Sequence, residues 1–180
     1  SFIGTNNQVG AALAAQYMCD NLEAGSDVAI LQGLISQSTG QQRAQGAHDG
    51  LTECGLNIVA EQPANWDRAM GLSVAETILA GNPNIKGIFA SNDNMALGAV
   101  EALKQAAMLE SVMVVGFDAN PDAANSIIAG EMTASIAQAP DNMGRFGIES
   151  LIALNNGETI EEWVDTGTVL VDASNAADYQ

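Results

Sequence analysis

Short apolar runs alternate along the chain with longer segments in which apolar residues recur at helical spacing. The runs are Phe2–Gly4, Val28–Leu31, Asn57–Ala60, Gly87–Ala90, Val112–Phe117 and Thr133–Ala137. Most are continuously apolar, as expected of strands covered on both faces in a parallel sheet. Between them, Val9–Leu22 carries Leu13 and Tyr17, and Met95–Leu103 carries Leu97, Val100 and Leu103, on a helical repeat. Asn120-Pro121 reads as an N-cap followed by proline at the first helical position, and Pro140 opens a further helix in the same way. Gly25, Gly81 and Gly130 are expected to close helices where a left-handed residue is needed. Strands separated by helices in this order predict an α/β fold. The sheet is expected to be open, doubly wound and mostly parallel, with helices on both faces and right-handed crossovers.

After Pro140 the pattern changes. A helix to about Leu154 runs into Asn155-Asn156-Gly157, an acidic turn with Glu161 and Glu162, and a late strand at Thr168–Val171. This piece stands outside the regular alternation and is expected to pack elsewhere.

Composition narrows the class. The chain has 180 residues, 47% of them hydrophobic, with 22 acidic against 5 basic side chains and a formal charge of −17. That length supports one domain with a sizeable core, and the apolar fraction is too high for a disordered acidic tail. Runs such as Val112–Val115 are far shorter than a membrane span. Nucleic acid is an unsuitable partner, since Arg43, Arg68, Lys86, Lys104 and Arg145 are scattered and a polyanion would be repelled. Cys19 and Cys54 are too far apart for a CxxC pair and can form at most one bridge. No charged segment followed by an apolar one opens the chain in the manner of a signal peptide. Ser1-Phe2-Ile3-Gly4 reads like the middle of a strand, so the chain is expected to continue upstream.

The usual catalytic signatures are missing. There is no GxGxxG after a strand, no phosphate-binding GxxxxGK[ST], no HExxH and no GxSxG, and no cofactor or metal is implied. The single histidine, His48, falls within the helical stretch Ala44–Glu53, where a solvated face is the better reading. Asp118-Ala119-Asn120-Pro121-Asp122 resembles the start of a calcium loop, but Ala123 replaces the turn glycine and Ala129 the bidentate glutamate.

The positive signal is positional. In open α/β sheets, ligands bind beyond the carboxyl ends of the strands near the point where strand order reverses. Gln32 to Arg43 follows the second strand, Trp66 the third, Asn92 the fourth, Asp118 the fifth and Gln138 the sixth. Planar Asn, Asp and Gln heads pair with neighbouring hydroxyls, and an indole face suits the C–H face of a sugar ring. Each has a plainer alternative. Asn92 could simply cap the next helix, Asp118 could fold onto its own turn, Gln138 could be loop and Trp66 core.

At these positions the sequence resembles the type I periplasmic sugar-binding proteins, in the ribose-binding branch. The likeness is carried by Gln62-Pro63-Ala64-Asn65-Trp66-Asp67-Arg68, by Phe89-Ala90-Ser91-Asn92-Asp93-Asn94-Met95-Ala96-Leu97-Gly98-Ala99, by Val114-Val115-Gly116-Phe117-Asp118 and by Ser135-Ile136-Ala137-Gln138-Ala139-Pro140-Asp141-Asn142-Met143-Gly144. The resemblance implies a periplasmic solute-binding component of an ATP-driven (ABC-type) importer, working with a membrane permease. Such proteins close two lobes, joined by three crossovers, on one sugar. Carried over by motif, Asn92, Asp118 and Gln138 are hydroxyl partners and Trp66 is the aromatic at the sugar face. Where the family places an arginine after the second strand, the alignment puts Gln41, with Arg43 two residues on. Without that charge a sugar other than a pentose, or a polyol, becomes a candidate.

The family's first lobe has no counterpart here. Residues 1–138 are then expected to form the second lobe, 139–167 a helix and turn that pack on the missing first lobe, and 168–180 a returning strand and tail. Met143, Phe146, Leu151 and Leu154 would lack their partner surface, so the chain is expected to be a fragment or to self-associate through this helix. Right-handed crossovers would also bring Cys19 and Cys54 to one face, where an oxidising periplasm permits a bridge; two buried free thiols are the alternative.

Two other functions share the fold class. One is the effector domain of a lactose-repressor-like regulator, which would need a basic DNA-binding head absent from this sequence. The other is a carbohydrate-active enzyme using carboxylates such as Asp67, Asp93 and Asp118, each of which has a simpler role as cap or hydroxyl acceptor.

Overall fold

The computed structural model describes residues 1–180. Its strands are β1 (Phe2–Gly4), β2 (Asp27–Gln32), β3 (Asn57–Pro63), β4 (Gly87–Ala90), β5 (Met113–Asp118), β6 (Ala134–Gln138), β7 (Trp163–Asp165) and β8 (Thr168–Val171). The helices are α1 (Asn7–Asn21), α2 (Ser38–Glu53), α3 (Arg68–Gly81), α4 (Asp93–Gln105), α5 (Pro121–Ile128) and α6 (Pro140–Asn155). Six strands form one sheet in the order β3-β2-β4-β5-β6-β8. All neighbours are parallel except β8, which returns antiparallel against β6. Strand order reverses between β2 and β4, which fixes where a crevice opens above the sheet.

Both faces of the sheet are covered, as the continuous apolar runs require. One layer of core joins Leu31, Ile88 and Val114 to Met95, Leu103 and Ile127; the other joins Ile30, Phe89 and Phe117 to Met18, Ala47 and Leu51. Helices α3 and α4 approach closely because Gly71 and Gly98 face one another's backbones. A Cβ on Gly98 would lie 2.3 Å from the Arg68 carbonyl oxygen, so any larger residue would push the pair apart. Caps fix the helix starts: Asn6, Asp67, Asn92 and Asn120 accept from the amides of Val9, Met70, Met95 and Ala123 respectively.

The structure corrects two expectations. Phe2–Gly4 is a strand but not one of the main sheet: it pairs with β7, a strand with no apolar run to announce it, and Phe2 stacks on Trp163. The sixth place in the main sheet falls to β8. Gly25 and Gly130 take positive φ (82° and 73°), whereas Gly81 does not; it ends α3 as an ordinary helical residue, with Asn82 as the cap.

Helix α6 has no buried residue. Ile148, Leu151, Ile152 and Leu154 are all exposed, while Met143 and Phe146 are half-buried. Cys19, in the last turn of α1, and Cys54, the residue closing α2, form a disulfide with their Cα atoms 6.1 Å apart, so the two thiols are not free. His48 reaches across from α2 to pair with Glu61 on the solvated edge of the sheet.

Candidate functional site

At the reversal of strand order the guanidinium of Arg43 lies buried beneath the loops. It projects from the second turn of α2, toward the sheet. Its Nε donates to Asn7 Oδ1 at 2.9 Å, and its Nη1 donates to the Ser91 carbonyl at 2.8 Å and to Asp118 Oδ1 at 2.9 Å. Phe117 supports the guanidinium from one side, with Cζ 3.7 Å from the ring centroid, and Trp66 stands 5.7 Å away. Gln138 donates to the same Asp118 oxygen at 2.7 Å, while its own Oε1 accepts from Thr5 Oγ1 at 2.8 Å. Side chains from the ends of β5 and β6, from α2 and from the Gly4–Asn7 connection thus form one network.

Burial and pairing oppose each other in this network. Loss of hydration pushes the Asp118 carboxyl above its ordinary range, against the pull of Arg43 and Gln138. The same loss lowers Arg43, which Asp118 partly restores. The side chain of Arg43 is 5% exposed and that of Asp118 33%. Arg43 Nη2 and Asp118 Oδ2 take no part in the protein hydrogen bonds of the network. A donor and an acceptor are therefore left for a ligand, in a site whose two charges cancel.

Trp66 sits in a loop where both Asn65 and Trp66 have left-handed backbones, with φ of 53° and 67°. Its ring lies over Gly33, where a Cβ would come within 2.2 Å of the indole, and its Nε1 donates to Gln37 at 2.9 Å. Beside Asp118 and Gln138 a cleft of about 450 Å³ opens, walled also by Pro140, Asn142 and Tyr179.

Of the residues singled out from sequence, Arg43, Trp66, Asp118 and Gln138 come together. Asn92 lies next to them, with its side chain engaged in the cap of α4 and a 3.4 Å bond from its amide to the Trp66 carbonyl. Gln41 does not join them. Its amide donates to the Ile35 carbonyl on the exposed side of α2, beside Gln45, His48 and Glu61. Residues two apart on a helix point about 200° from one another, so only one of Gln41 and Arg43 can face the sheet. Asp118 does not fold onto its own turn; its carboxylate binds Arg43 and Gln138 instead. Sequence reading missed Thr5 and Asn7, whose signal was only their place directly after β1.

The comparisons agree with this architecture. A family profile described as a periplasmic binding protein domain matches residues 1–159. The chain is 37% identical over 161 residues to the ribose import binding protein of Escherichia coli, covering 89% of this chain and 54% of that protein. It is 38% identical to the D-allose-binding periplasmic protein of the same organism, with 89% and 52% covered. The chain thus spans about half the length of these relatives. Among solved structures, an ABC transporter periplasmic solute-binding protein from Actinobacillus succinogenes with bound D-allose superposes with a TM-score of 0.93 at 36% identity, over 99% of this chain and 64% of that one. A solute-binding protein from Bacillus halodurans with bound myo-inositol gives 0.89 at 27% identity, over 99% and 62%. With its doubly wound sheet and these matches, the chain belongs to the periplasmic binding protein domain family.

Proposed function

We propose that this chain is the sugar-binding lobe of a solute-binding component of an ABC-type importer, and that it takes a neutral monosaccharide or small polyol without transforming it. The observation that carries the reading is the Arg43–Asp118–Gln138 network below Trp66 at the reversal of strand order. A hydroxyl can accept from Arg43 Nη2 and donate to Asp118 Oδ2 at once, which a balanced ion pair offers to a neutral polyol better than to an ion. Trp66 would cover the ring's apolar face, and the remaining amide hydrogen of Asn92 would meet a further hydroxyl. Gln41, on the far side of α2, has no part in this reading. Relatives that bind ribose or allose support the choice of monosaccharides, and the neighbour holding myo-inositol supports cyclic polyols.

A companion lobe completes the site in this reading. The matched residues span only about half of each relative, and α6 exposes an apolar row with nothing on it. Residues 139–167, with the β1–β7 pair, form the bridge on which that lobe rests. The Gly4–Asn7, Gln138–Pro140 and Asp165–Thr168 connections are its three crossovers. The ligand favours closure because both lobes contact it only when closed. Membership of the family supports a periplasmic location, where a permease would receive the sugar and the Cys19–Cys54 bridge would persist.

The regulator and enzyme alternatives receive less support. The relatives are import binding proteins, and Asp67 and Asp93 are occupied in capping and internal hydrogen bonds. Equilibrium dialysis of the chain against D-ribose, D-allose and myo-inositol tests the proposal. Retention of one of them, recovered unchanged, is expected. No retention of any of the three, or conversion of the sugar, would refute it.

A further inference from the structure

Asp93 is fully buried at the start of α4, beside the site yet outside the ligand-facing set. Its Oδ1 accepts from Ser135 Oγ at 2.6 Å and its Oδ2 from the Asn120 amide at 2.8 Å. Ser135, on β6, is also fully buried, and its oxygen accepts in turn from the Ala119 amide at 3.0 Å. Two side chains from different elements therefore satisfy consecutive backbone amides of the turn that follows β5.

That turn needs holding. Asp118 and Ala119 have φ of 110° and 51°, a left-handed conformation that residues other than glycine rarely adopt and that persists only where the surroundings enforce it. The same turn aims the Asp118 carboxylate at Arg43 and Gln138. Room for the clamp is made by Gly116, where a Cβ would stand 2.4 Å from Asp93 Oδ1.

We propose that Asp93 and Ser135 are positioning residues that clamp the 118–120 turn and thereby set the orientation of Asp118 toward a bound sugar. The functional half of this inference rests on the sugar-binding reading; the geometric half does not.

Ionisation gives the clamp a signature. Burial drives the Asp93 carboxyl up to about 7, with Asp118 and Arg43 the charged groups that face it and Ser135 and Asn120 its hydrogen-bond partners. The carboxylate accepts both of its bonds. On protonation, a hydrogen directed at Asn120 would oppose its amide, whereas one on Oδ1 can donate to Ser135 and reverse that bond. The Ala119 and Asn120 amides should therefore report the Asp93 titration.

The test is NMR of the full chain, following the Asp118 carboxyl carbon, the Arg43 Nε–H and the Ala119 and Asn120 amides. Each variant is also titrated with D-ribose, D-allose and myo-inositol. Asp93→Leu and Ser135→Ala are each expected to shift the Asp118 and Arg43 signals and to weaken sugar binding at least tenfold. Asp93→Asn keeps an acceptor for Asn120 and should recover much of the affinity lost in Asp93→Leu, while abolishing the titration of the turn amides near pH 7. Unmoved Asp118 and Arg43 signals in Ser135→Ala, or turn amides that do not titrate in the wild type, would overturn the proposal; the second readout needs no variant to fold. Undiminished sugar binding in Ser135→Ala would overturn it too. Should the wild type bind none of the three sugars while the Asp118 signals move as expected, the sugar reading fails and the clamp stands.

Discussion

Arg43 and Asp118, 75 positions apart in sequence, meet at 2.9 Å across the top of the sheet, and the arginine is the more buried partner. Removing the carboxylate strands a positive charge among Phe117, the Ser91 carbonyl and Asn7. Asp118→Ala is expected to destabilise the chain by about 2 kcal/mol, the cost of breaking a buried pair reduced for the partial exposure of Asp118. It should also weaken sugar binding by about tenfold or more, equivalent to ~1.4 kcal/mol. Urea unfolding and a sugar titration check the two effects; an unchanged unfolding midpoint would contradict the first.

Trp66 can be moved without being mutated. Because its ring covers Gly33, Gly33→Ala should displace the indole and reduce sugar affinity severalfold. Trp66→Ala should reduce it further. Equal affinity in all three proteins would remove Trp66 from the site.

The pH dependence of stability follows from Asp93. Its folded pKa of about 7 lies above the ordinary value of 3.8, so the folded state holds the proton more tightly than the unfolded one. The resulting stabilisation is fully present below about pH 4 and is lost as pH rises toward 7. Asp118, shifted in the same direction, adds to the slope. The wild type is expected to be more stable at pH 5 than at pH 8, and Asp93→Asn should flatten the difference. Thermal unfolding at the two pH values provides the comparison, and an identical slope in both proteins would contradict the assignment.

The Cys19–Cys54 bridge joins α1 to the end of α2 across a sequence separation of 35. In the chain-entropy view such a loop contributes about 3–4 kcal/mol by restricting the unfolded state. Reduction with dithiothreitol should lower the urea midpoint accordingly, and a Cys19→Ser, Cys54→Ser double variant should match the reduced protein and no longer respond to reductant.

On α6 the exposed row of Ile148, Leu151, Ile152 and Leu154 predicts concentration-dependent self-association of this chain when no companion lobe covers it. Sedimentation velocity should show it, and Leu151→Glu with Ile152→Glu should abolish it. A wild-type monomer at all concentrations would argue against an interface on this face.

Much of this was legible in the sequence because it is local. Val28–Leu31 and Val112–Phe117 are continuous apolar runs, and the Asn120-Pro121 cap announces α5. Asp118 and Gln138 could be placed simply by following each strand to its end. What stayed hidden was non-local or fell on the wrong face. Phe2–Gly4 has the composition of an inner strand, and only its pairing with the short β7 removes it from the main sheet. Gln41 and Arg43 are two residues apart, and the turn of the helix, which no apolar pattern in α2 makes plain, sends the arginine inward. Ser135 lay within a segment that carries the resemblance but gave no signal of its role, since a small polar residue inside a buried strand shows its purpose only when Asp93 and Ala119 are seen around it.

The sugar-binding proposal rests on Trp66 and the Arg43–Asp118 pair. Its most direct test is tryptophan fluorescence of the full chain against D-ribose, D-allose and myo-inositol, with Trp66→Phe separating Trp66 from Trp163. A saturable change with at least one of them, absent in Trp66→Phe and weakened in Asp118→Ala, is the predicted result. A change that persists in Trp66→Phe, or none with any of the three, would contradict it.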